Sequence, residues 1–116
     1  MHEMALMGDI LKIIEEDSVE KGIKQIEKIE LVVGDISNAM PDALHMAFSI
    51  FKEQNASFFK SKAQLIIIKE EAKAKCVLCD TEYIPDTKLT FCPKCQFPSG
   101  KIISGETFKI LSYEGS

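Results

Sequence analysis

Apolar residues near the start of the chain recur at helical spacing. Met4, Met7, Leu11 and Ile14 fall on one stripe with Ile10 beside them, and acids and lysines fill the other side. The pattern predicts a helix over 4–21, stopped by Gly22. The period then changes to two. Ile29, Leu31 and Val33 alternate with Lys28 and Glu30, which predicts a half-buried strand over 26–33, ended by Gly34-Asp35. Pro41 suits a first helical turn and opens a second helix to about Glu53, with Leu44, Phe48 and Phe51 as its buried stripe. Gln54 to Lys62 is polar apart from Phe58 and Phe59 and reads as a loop. Leu65–Ile68 predicts a second strand and Phe108–Tyr113 a third.

Residues 73–104 break this rhythm. They hold all four cysteines and three of the four prolines, with almost no helical periodicity. This is a small module set between the second and third strands. Cys76-Val77-Leu78-Cys79 is followed, twelve residues later, by Cys92-Pro93-Lys94-Cys95. Each C-x-x-C turn aims two sulfurs at one point, and two such turns complete a tetrahedron of the kind zinc accepts. A closed four-sulfur site has no open position, so Cys76, Cys79, Cys92 and Cys95 are expected to hold a structural ion. About thirty residues make no stable core alone, so the metal is expected to supply the folding energy. Tyr83, Ile84, Leu89 and Phe91 are expected to form a small apolar cap. Iron in the same sulfurs, as in a rubredoxin-like electron carrier, is the competing occupant, and it leaves the helical front half unexplained.

Composition narrows the field. The 116 residues carry a formal net charge of −4, and all 14 basic residues are lysine. Without arginine, and with a zinc segment near neutrality once the thiolates are counted, nucleic-acid binding is not expected. Charges interrupt every apolar run, so neither a secretory signal nor a membrane span is expected, and the protein is placed in the cytoplasm. In that reducing compartment paired cysteines point to metal rather than disulfides. No phosphate loop, serine nucleophile motif or zincin spacing is present, so no enzymatic activity is expected.

The chain opens Met1-His2-Glu3. His2 is a bulky second residue, so Met1 is expected to be retained. A terminal amine, backbone amides and an imidazole then lie within three residues, a set that suits nickel(II) or copper(II). Glu3 would tune the site or accept a hydrogen bond from the ring. A frayed terminal histidine is the plain alternative. His45 reads as a surface histidine, Met4, Met7, Met40 and Met46 as helix packing, and Glu15-Glu16-Asp17 as a solvated face.

Taken in order, Met1-His2-Glu3-Met4, Gly34-Asp35-Ile36-Ser37, Pro41 with Leu44 and Phe48, the two C-x-x-C pairs and Ser104-Gly105-Glu106 resemble the HypA family of hydrogenase nickel-incorporation proteins. The resemblance covers essentially the whole chain. It implies an α+β fold: a two-helix, three-stranded nickel-binding domain over 1–72 plus 105–116, and a four-cysteine zinc ribbon over 73–104 inserted between the second and third strands. It implies nickel at Met1, His2 and Glu3, with His2 the essential ligand. It further implies a metallochaperone that works with a HypB-type GTPase to load the [NiFe]-hydrogenase large subunit, with urease maturation and its accessory proteins as a further route, acting as a monomer or weak homodimer. Relatives that carry a histidine in the zinc domain differ from this chain, which has none between 73 and 104. The alternative is a zinc-ribbon protein-interaction adaptor without nickel delivery.

Overall fold

The computed structural model describes residues 2–85 and 91–116. Helix α1 spans His2–Glu20 and α2 spans Pro41–Gln54; the strands are β1 (Ile26–Gly34), β2 (Phe59–Glu70), β3 (Lys73–Cys76), β4 (Glu82–Tyr83), β5 (Gly100–Ser104) and β6 (Phe108–Gly115). They form two three-stranded sheets, ordered β2-β1-β6 and β4-β3-β5. Contacts group the chain into two compact units: 1–32, 39–68 and 109–116 make the first, and 33–38 with 69–108 the second.

In the first unit the stripe on α1 is buried where the sequence places it. Met7, Ile10, Leu11 and Ile14 have 8% exposure or less, as do Leu44, Ala47 and Phe48 on α2 and Ile26, Ile29 and Leu31 on β1. Burying a side chain of this size contributes roughly 1.5–3 kcal/mol, so these residues set the layering of two helices against a sheet. α1 stops where Gly22 turns to φ 72°, and the Ile23 N–H closes back onto the Ser18 carbonyl at 2.9 Å. Asp17 is not a free surface acid: it pairs with Lys21 at 2.8 Å and accepts the Tyr113 hydroxyl of β6. The Lys21 ammonium first, and then that hydroxyl, hold its carboxyl below the ordinary range.

Two expectations are corrected. The segment 54–62 is not all loop, because β2 begins at Phe59. Phe59, Ala63 and Leu65 alternate inward, and Phe59 packs edge-on against Phe48 with ring centroids 5.5 Å apart. As an edge strand, β2 tolerates Lys60, Ser61 and Lys62 between them. Met40 and Met46 are 63% and 65% exposed and do not pack in the core. Met40 precedes the helix, and Met46 lies two positions, some 200° of turn, from Leu44. Beyond the three predicted strands, the cysteine segment carries a sheet of its own, β4-β3-β5.

In the second unit the chain crosses itself tightly. The Gly34 N–H donates to the Thr107 carbonyl at 2.6 Å, and the Ile36 N–H to the Gly105 carbonyl at 2.9 Å. The Glu70 carboxylate accepts the N–H groups of Gly105 and Thr107 at 2.6 and 3.3 Å. Gly105 stands at φ 105°, a conformation that favours glycine, with the Ala72 backbone where a side chain would point. The Gly34-Asp35 and Ser104-Gly105-Glu106 motifs are therefore the two halves of one backbone crossing.

Candidate metal centre

β3 ends on Cys76, which starts the first of two matching turns. In each turn the residue after the second cysteine adopts a left-handed conformation: Asp80 and Gln96 both have φ 60°. The Asp80 N–H returns to the Cys76 carbonyl at 2.9 Å, and the Gln96 N–H to the Cys92 carbonyl at 2.8 Å. One residue further on, the carbonyls of Thr81 and Phe97 accept the N–H groups of Cys76 and Cys92 at 2.9 and 3.0 Å. The same hydrogen-bond plan is thus built twice from unrelated intervening residues. A non-glycine residue in this conformation costs about 1–2 kcal/mol. Gln96→Gly is expected to remove that strain and slow metal release to a chelator several-fold, read by the colour change of a thiol-insensitive indicator. Faster release would show that the Gln96 side chain itself supports the turn.

The turns bring the sulfurs together. Cys76 Sγ lies 3.8 Å from Cys95 Sγ and Cys79 Sγ lies 3.7 Å from Cys92 Sγ, and all four sulfurs are within 4.8 Å of one another. Four sulfurs placed tetrahedrally at about 2.3 Å from a zinc ion stand about 3.8 Å apart, so the residues fit that ion. Backbone amides point at the sulfurs as they would at thiolates: Leu78 and Cys79 toward Cys76 Sγ at 3.4 Å, and Cys95 toward Cys92 Sγ at 3.3 Å. The first cysteine of each pair is buried, with Cys76 and Cys92 no more than 1% exposed. Among the described residues this is the one group of three or more His, Cys, Asp or Glu side chains arranged to hold a metal ion.

Hydroxyls polarise the site. Ser99 Oγ lies 3.1 Å from Cys76 Sγ, and it is the main cause that brings the Cys76 thiol down to about 6. Thr81 Oγ1, also 3.1 Å away, is the main cause that lowers the Cys79 thiol. Cys95 is pushed up to about 12, first by the neighbouring Cys79 sulfur. Within the folded ribbon Cys76 is therefore held most readily as a thiolate and Cys95 least readily. A lowered pKa keeps Cys76 in the thiolate form that binds metal to lower pH, so Ser99→Ala is expected to move the acid transition at which the metal is lost to higher pH. Metal release to a coloured indicator, followed as the pH of parent and variant is lowered, reads it. An unmoved transition would remove Ser99 as its cause.

The apolar cap expected over the site is not there. Ile84 and Phe91 are 67% and 56% exposed, Tyr83 is half-buried, and Leu89 lies outside the described residues. Among the described residues of 72–104 the buried side chains are instead Ala72, Ala74, Cys76, Pro85 and Cys92. The four clustered sulfurs occupy space that large apolar side chains would otherwise fill.

The amino-terminal residues are arranged differently from the cysteines. His2 is the first residue of α1 and its side chain is 61% exposed, with Nδ1 3.9 Å from Glu3 Oε2. Met1 lies outside the described residues. Glu3 is only 8% exposed, and its carboxylate accepts the Met40 N–H at 3.3 Å. Met40 caps α2 without a side-chain acceptor of its own. Glu3 supplies from another helix the contact that a capping-box glutamate makes within one. The sequence holds one hint of this, the missing Ser, Thr, Asp or Asn ahead of Pro41. His45 is exposed on α2.

Residues 1–115 match the protein family described as hydrogenase/urease nickel incorporation, metallochaperone, hypA. The chain belongs to the HypA family. It is 36% identical over 115 residues to the hydrogenase maturation factor HypA of Moorella thermoacetica, covering 99% of each chain. It is 33% identical over 114 residues to that of Desulfitobacterium hafniense strain DCB-2, covering 98% of this chain and 97% of the relative. A solution structure of a HypA protein superposes with a TM-score of 0.68 at 25% identity, covering all of this chain and 97% of the other. The nickel metallochaperone HypA of Helicobacter pylori shares the fold, with a TM-score of 0.64 at 23% identity over 97% and 96% of the two chains. The family's work is metallochaperone and maturation work on nickel enzymes, not catalysis. No described helix is long and apolar enough to cross a membrane.

Proposed function

We propose that the chain carries nickel(II) at Met1, His2 and Glu3 and delivers it, with a HypB-type GTPase, to the large subunit of [NiFe]-hydrogenase, while Cys76, Cys79, Cys92 and Cys95 keep a structural zinc ion. The observation that carries this reading is the family match over residues 1–115, with a histidine exposed at the very start of α1. Urease is the second route within the family description. The work is assigned to the cytoplasm and to a monomer or weak homodimer. The tasks divide between residues 1–72 plus 105–116, which take the cargo, and residues 73–104, which hold the zinc.

Helix geometry supports the amino-terminal site. The first four N–H groups of a helix have no acceptor within it, so the amides of His2 and Glu3 are open to a ligand. Nickel(II) favours nitrogen donors in a plane, and the terminal amine, an amide and the imidazole close adjacent rings around one ion. Glu3 adds its amide, or its carboxylate beside the His2 ring. Such a site binds only as its donors lose protons, so it can load and release with conditions. The closed cysteine site cannot exchange so readily.

His2→Ala removes one donor, and residues added ahead of Met1 turn the amine into an amide that resists deprotonation. Each change is expected to weaken nickel binding at least 100-fold in a calorimetric titration, with zinc unchanged at one per chain by metal analysis. His45→Ala is expected to do neither. Tight binding by the extended protein would remove the amine from the site. Tight binding by His2→Ala as well would leave a zinc-ribbon adaptor as the better reading.

A further inference from the structure

The second sheet presents a cationic face whose lysines have no ion-pair partner among the described residues. β3 pairs antiparallel with β4 and β5, so Lys75 stands opposite both Glu82 and Lys101, while Ala74 stands opposite Tyr83 and Ile102. Ala74 is fully buried, which turns the Lys75 row outward. Alternation puts Lys73 and Ile84 on that outward side. A bulge at Lys73–Ala74 makes Ile103 the extra residue of β5 and turns it outward as well. Ile84 is 67% and Ile103 48% exposed, and Lys73, Lys75, Glu82 and Lys101 are all exposed. Like charges directly opposite across two strands are destabilising, yet Lys75 and Lys101 are kept face to face. None of the three lysines makes an ion pair among the described residues.

We infer that this face, made by Lys73, Lys75, Lys101, Ile84 and Ile103, docks an acidic segment bearing apolar side chains on the protein that receives the metal. The charge sets the sign of the partner, since on the paired strands three lysines accompany one carboxylate, Glu82, among the described residues. The two isoleucines set its class. A nucleic acid would call for aromatic stacking or arginine; this face has neither, on a chain of net charge −4. The face lies outside both metal sites, so it adds a docking function to the delivery reading and rests on that reading for the identity of the partner.

The test titrates the metal-loaded protein with purified immature large subunit of [NiFe]-hydrogenase at about 0.1 M salt, where charges act over roughly 10 Å. Lys75→Glu with Lys101→Glu is expected to weaken binding at least tenfold, and Ile103→Ser several-fold, with zinc still at one per chain. Glu82→Lys is expected to tighten binding, an outcome no merely structural role would produce. At about 1 M salt, where the screening length falls to roughly 3 Å, the charge variants should converge on the parent. His2→Ala, which unloads nickel, should leave docking in place. Unchanged affinity in the double variant with full zinc, or weaker binding by Glu82→Lys, overturns the docking face while delivery stands. A parent that fails to bind the large subunit sinks both. Binding of duplex DNA lost in the same double variant would assign the face to nucleic acid instead and overturn the inference.

Discussion

Serine at Cys92 is expected to abolish stoichiometric zinc and to unfold the second sheet while both helices survive. Cys92 is 1% exposed, its sulfur stands 3.7 Å from Cys79 Sγ, and it takes the Cys95 amide. A hydroxyl there is a poor replacement for a thiolate, and three sulfurs leave the ion open to water and chelators. Binding of a structural zinc is worth about 10–16 kcal/mol near neutral pH, as much as a whole small domain's stability of about 5–15 kcal/mol. Little else holds the ribbon, since the buried side chains among the described residues of 72–104 are two alanines, Pro85, Cys76 and Cys92. Metal analysis should fall from one zinc per chain toward none, and amide exchange over residues 73–76 and 100–104 should accelerate by orders of magnitude. Helical circular dichroism should hold, because the core made by Met7, Ile14, Leu44 and Leu31 contains no metal ligand. An ordered ribbon with full zinc in this variant would refute the four-sulfur site.

Gly34→Ala is expected to be strongly destabilising, although it adds a single methyl group. An ideal Cβ on Gly34 would overlap the Gly105 carbonyl and stand 2.8 Å from the Glu106 nitrogen. All of these are backbone atoms, so no side chain can swing aside. Relief requires parting the crossing and losing its two bonds, Gly34 N–H to Thr107 and Ile36 N–H to Gly105. Overpacking and lost hydrogen bonds together are expected to cost about 3 kcal/mol or more, a fall of roughly 15 °C in Tm for a domain of this size. Gly8→Ala is the control. Its Cβ would meet nothing nearer than Phe51 Cζ at 3.5 Å, ordinary contact, and alanine in a helix is favoured over glycine by about 1 kcal/mol. Opposite signs from two identical methyl additions are the expected result in thermal melts. Equal effects would mean that the crossing at Gly34 yields more easily than its geometry indicates.

What the sequence settled by itself is whatever depends on spacing. The helical period of Met7, Ile10, Leu11 and Ile14, the alternation of Ile29 and Leu31, Pro41 at a helix start and Gly22 at a helix end each follow from local chain geometry, and the structure bears them out. The cysteine cluster was equally legible, because a C-x-x-C turn aims its two sulfurs whatever surrounds it. What only the tertiary structure decided depends on residues far apart in the chain. Phe59 starts a strand because it packs against Phe48, and nothing in the polar run after it says so. Glu3 serves the start of α2 thirty-seven positions away, a contact that no local pattern encodes. Gly34 and Gly105 read as two unrelated turns until the fold lays one backbone on the other. Ile84 and Phe91 read as a core because they are apolar, but the sulfurs had already filled the space. The row of Lys75, Lys101 and Glu82 exists only through register: strand pairing places three separate positions side by side, and periodicity within one strand carries no information about its neighbour.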